Sequence, residues 1–108
     1  MSKIIYKYPL DWGYITVVRL PFRSQVLSID YDPNVTMCLW AIHDTEDEKD
    51  RWVEYEVMVL PTGSPCNEPL EVLGETPENG FTYFKTIVIR EYVWHIFMRM
   101  KTELNDVV

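Results

Sequence analysis

Cysteine, histidine and glycine are scarce in this chain, with two, two and four residues respectively among 108. The two cysteines sit in unlike settings, Cys38 inside an apolar run and Cys66 inside a proline-rich stretch, which points to reduced thiols and away from a disulfide framework. His43 and His95 each lack a second histidine or cysteine at ligand spacing, and this argues against zinc. So few glycines leave no phosphate-cradling loop and no dinucleotide fingerprint, and Ser24, Ser28 and Ser64 have no Gly-x-Ser-x-Gly setting. No apolar run reaches the roughly 18 residues of a membrane helix. Met1-Ser-Lys leads into the amphipathic Ile4-Ile5-Tyr6-Lys7-Tyr8 and not into a signal-peptide core. The expectation is a cytoplasmic protein without membrane contact, cofactor or metal, and not an enzyme.

Positive charge is short as well. Ten basic residues face seventeen acidic ones, a formal balance of -7. A protein that binds nucleic-acid polymers needs clustered Lys and Arg to release phosphate counterions, so direct binding to such polymers is not expected. The acidity is local: residues 32–80 hold twelve acids against only Lys49 and Arg51, while the regions on either side are mildly basic.

What the chain holds in quantity is apolar (47%) and aromatic (14%) surface, enough for the core of one domain spanning residues 1–108. Period-two alternation and turn residues mark strands near residues 3–8, 14–20, 25–31, 35–42, 52–60 and 70–73. The run at 35–42 is apolar on both faces, the mark of a central strand. The charged connection 43–51 then reads as the long loop of a hairpin joining 35–42 to 52–60. Asn79-Gly80 is the strongest short hairpin signal.

The segment after Phe81 is the densest in aromatic and β-branched residues, and it has two readings. As strands, 83–89 pairs with 93–100 across a turn at Arg90-Glu91-Tyr92. Trp94, Ile96, Met98 and Met100 then share one face, with Val93, His95, Phe97 and Arg99 on the other. As a helix over 91–104, Val93, Ile96, Phe97, Met100 and Leu104 form one stripe. Residue composition favours strands, with 102–108 as a flexible tail. The fold class expected is mainly β: a small antiparallel sandwich or partly closed barrel of seven to eight strands.

Three stretches, Ile5-Tyr-Lys-Tyr-Pro-Leu10, Cys38-Leu-Trp-Ala-Ile42 and Val93-Trp-His-Ile-Phe97, carry a resemblance in the same order over roughly residues 3 to 98. The chain resembles an uncharacterised family of short, mostly phage-encoded proteins with a Lys-Tyr-Pro-Leu start, a Leu-Trp-Ala strand and a Val-Trp-His-x-Phe ending. It departs from that pattern at Arg90-Glu91-Tyr92, where a Gly-rich turn is expected. The resemblance implies a compact, mostly β protein of phage origin, acting in an infected bacterial host. It supplies no reaction and no site.

The residues themselves offer two surfaces. Arg19, Arg23, Arg90, His95 and Arg99, with Tyr14, Tyr92 and Trp94, would form a cationic and aromatic hollow if both ends of the chain share one sheet. Guanidinium groups would then fork onto phosphate while rings stack on a base. That points to a non-enzymatic protein that neutralises a host component by sequestering a small anionic ligand such as a signalling nucleotide. The blander reading of His95 is a partly buried ring bonded to backbone. The alternative surface is acidic, with Asp44, Glu46, Asp47 and Glu48 presented to a basic host protein. The spacing excludes a calcium loop, since Lys49 and Tyr55 stand where Gly and Glu are required. A virion component is a third reading. Trp40 and Trp94 read as core. Trp12 and Trp52, at strand ends, are the aromatics that a homo-oligomer would cover.

Overall fold

A segment that is apolar on both faces is stable only with neighbours along both edges and cover above it, so residues 37–44 take the middle of a sheet. The computed structural model describes residues 2–12, 15–49, 51–71 and 80–104. Strand β4 (Met37–Asp44) runs between β1 (Lys3–Pro9) and β3 (Gln25–Tyr31), antiparallel to both. The second sheet has the order β2-β5-β8-β7-β6. Its members are β2 (Ile15–Pro21), β5 (Trp52–Pro61), the two-residue β6 (Leu70–Glu71), β7 (Phe81–Ile89) and β8 (Tyr92–Leu104). The longer strands all pair antiparallel, whereas β6 runs parallel to β7. The two sheets stay separate, so the fold is the mainly β sandwich and not the barrel.

Alternation decides what meets inside. Met37, Leu39 and Ala41 of β4 and Ile29 of β3 pack with Val18, Leu20, Val57, Val59, Ile87 and Ile96 of the larger sheet in one buried cluster. The alternate residues of the larger sheet face outwards. There Met58, Phe81 and Phe97 form a smaller cluster beneath Cys66 and Leu70, so the proline-rich stretch after β5 packs on the sheet's outer side. Both cysteines are free thiols. Trp94 packs against the main core, but Trp40, expected there too, alternates with Leu39 and Ala41 and lies half-buried on the outer side of β4.

The ambiguous end of the chain is strand. β8 lies between β5 and β7 and pairs with β5 from Pro61↔Trp94 to Trp52↔Leu104. A strand with partners on both sides satisfies its backbone N–H and C=O groups in the extended form, and a helix there would leave the facing edges of both neighbours unpaired. Residues 102–104, expected in a flexible tail, continue this ladder; 105–108 lie outside the described residues. The β7–β8 turn is the two-residue Arg90-Glu91, with Arg90 at φ 56° where glycine or asparagine is more usual.

Two expected connections are corrected. Segment 43–51 closes no hairpin: β4 ends in the small sheet and β5 begins in the large one, and a short 3-10 helix (Thr45–Lys49) lies in the crossing between them. β4 already has β1 and β3 on its two edges, which leaves β5 to pair with β2 and β8. The parallel β6–β7 pairing likewise leaves no hairpin between those strands, and Asn79 of the Asn-Gly signal lies outside the described residues. The chain's ends also do not share a sheet, since β1 belongs to the small one and β8 to the large one.

Ile96 has no exposed surface, so Ile96→Ala is expected to lower the unfolding free energy by about 2–5 kcal/mol. Val88→Ala, on a residue 67% exposed, should change it by no more than about 0.5 kcal/mol; urea titration measures both. Lys7 Nζ donates to Asp32 Oδ2 at 2.9 Å and ties β1 to the β3–β4 turn. This bond, aided by the Asn34 amide, holds the Asp32 carboxyl below its ordinary range. The pair therefore contributes above the ordinary carboxylate range and is lost as pH falls through the depressed value. Stability curves of the parent and Lys7→Gln, measured by urea titration across pH, should differ near neutrality and converge in acid.

Candidate functional site

At one end of the sandwich the inward faces of β3 and β8 finish in aromatic residues, and the β1–β2 connection lays a third beside them. That connection is pinned by Leu10 N donating to Met37 O and Asp11 N donating to Thr16 Oγ1, each at 2.8 Å. Trp12 then meets Trp94 with ring centroids 4.6 Å apart and planes inclined by 59°. It meets Tyr31 at 5.8 Å and 55°. Tyr92 and Ile89 complete the lining of an open cup of about 300 Å³.

 A separate groove of about 430 Å³ lies on the outer side of the large sheet, lined by Ile15, Met58, Leu60 and residues 65–68.

The cup's four rings come from three places in the sequence. Tyr92 and Trp94 were expected at a binding site, and Trp12 at an interface. Tyr31 had no signal beyond its place at a strand end. Tyr14, expected beside them, lies outside the described residues.

The cations expected with these rings are dispersed. Arg19 is on the outer side of β2, 3.9 Å from Glu54. Arg23 lies in the β2–β3 turn at φ 70° and lines a different cavity with Lys3, Gln25, His43, Asp44 and Asp47. Arg99 is on the opposite face of β8 from Trp94, where its Nε donates to Glu56 Oε1 at 2.7 Å and its guanidinium lies over Phe81. Arg90 alone stays near the cup in sequence, two residues before Tyr92 and exposed. The physical reason is strand alternation together with the split into two sheets.

His95 also faces away from the cup. Its Nε2 is 2.7 Å from Thr62 Oγ1 and its Nδ1 3.0 Å from Thr86 Oγ1, so side-chain hydroxyls hold the ring, not the backbone. One hydroxyl belongs to the turn after β5 and the other to β7, and the histidine joins them across β8.

The acidic segment is partly used within the fold. Glu48 Oε2 lies 2.8 Å from Nε2 of the buried His43, Asp44 accepts from the Glu46 amide at 3.0 Å, and Glu46 lies 3.8 Å from Lys49. Among the described residues no group of His, Cys, Asp and Glu could hold a metal ion. No helix is long and apolar enough to cross a membrane.

Residues 1–106 match a family described as a domain of unknown function, DUF7352. No curated protein and no solved structure matches the chain.

Arg99→Ala is expected to destabilise the protein by about 2 kcal/mol, because it leaves the half-buried Glu56 without its charged partner. Thermal melting should show the loss, while ligand titrations at the cup should be unchanged.

Proposed function

Because the chain belongs to the DUF7352 family, which carries no described activity, we propose from its own geometry that it is a non-enzymatic binding protein that neutralises a host component by capturing it in the aromatic cup. The observation that carries this reading is the meeting of Trp12, Tyr31 and Trp94 around a cavity that Tyr92 leaves open to solvent. Cavities of this size accept one small group, and aromatic walls supply contact area at little entropic cost. Tyr92 is 60% exposed, so a side chain with much apolar area is held at the rim without being needed by the core.

A signalling nucleotide would lay its base on these rings and turn its phosphate towards Arg90. That version has less support than the cup itself, since Arg19, Arg23 and Arg99 are placed elsewhere.

The test is tryptophan emission during titration with small-molecule fractions of a host extract and with cyclic and linear nucleotides. A saturable change that Tyr92→Ala weakens by about tenfold, the size of one lost stacking contact, is expected for at least one of them. No response to any fraction or nucleotide would remove the reading.

A further inference from the structure

The inclination of the rings bears on what the cup holds. A flat base is gripped best between parallel rings, whereas Trp12 meets its neighbours at 59° and 55°. Rings inclined to one another and lining one cavity leave no parallel slot for a flat base and suit a rounded group. Those faces carry the negative lobes of the ring quadrupole, which attract a cation and repel an anion.

Among the described residues no cation–ring contact falls on the cup's rings. The cation–ring contacts among the described residues fall on Phe22, approached by Arg23 and Arg51, and on Phe81, approached by Arg99. The tryptophans, the better acceptors of such contacts, are left for something else.

The residues next to the cup's rings along the chain are mostly acidic. Asp11 precedes Trp12, Asp30 and Asp32 flank Tyr31, and Glu91 precedes Tyr92. Asp30 and Asp32 are paired with Lys85 and Lys7. Arg90 is the opposing charge, in an exposed turn, on a protein whose formal balance is -7.

We propose that the group captured in the cup is a methylated ammonium, as in choline or a trimethylated lysine side chain. This rests on the cup being the binding site. The methyl groups would fill the apolar space while their spread positive charge meets the ring faces.

The experiment titrates the full chain, by tryptophan emission and calorimetry, with choline, its neutral carbon isostere dimethylbutanol, a trimethyllysine amide and adenosine monophosphate. Choline or the lysine derivative should bind about tenfold more tightly than the isostere, and whichever is tighter identifies the source of the group. Tyr92→Ala should weaken this binding with its melting temperature unchanged. Equal binding of choline and the isostere, or binding of the nucleotide alone, would overturn the ammonium assignment and leave the cup as a binding site. No binding by any probe, together with a silent host extract, would overturn both.

Discussion

β8 sits between β5 and β7, and its extended backbone sends successive side chains to opposite sides of the large sheet. Trp94 and Ile96 go inwards to the core, and His95, Phe97 and Arg99 go outwards. Each face then acquires its own chemistry. The inner face closes the sandwich and ends in the aromatic cup, while the outer face carries the Thr62–His95–Thr86 bridge and the Arg99–Glu56 pair.

The polar contacts of the outer face are structural. His95 fastens the turn after β5 to β7, and Arg99 satisfies a carboxylate while covering Phe81. At the far end of β4, His43 is buried against Tyr6 and joined to Glu48, so the acidic crossing segment is fastened to the sheet by one of its own carboxylates. Residues that look reactive in the sequence are in these cases holding connections in place. The cup differs because its rim ring is exposed and its ring faces have no cation of the protein over them among the described residues.

Strand positions, and the facing of side chains where polar and apolar residues alternate, were legible in the sequence because period-two alternation is a local property; β4, apolar on both faces, gave no such signal for Trp40. Val53, Tyr55, Val57 and Val59 inward against Glu54 and Glu56, and Trp94 against His95, needed no tertiary information. Extended structure for β8 was also readable from its valines and aromatics, though the same residues make a helical stripe.

The partition of strands between two sheets was decided only by the tertiary structure, since strand pairing depends on which edges remain free once β4 has taken β1 and β3. That partition separated Arg19, Arg23 and Arg99 from the rings. It also brought Trp12 and Tyr31, which lie far from Trp94 along the chain, into contact with it, and no local pattern encodes a meeting of that kind.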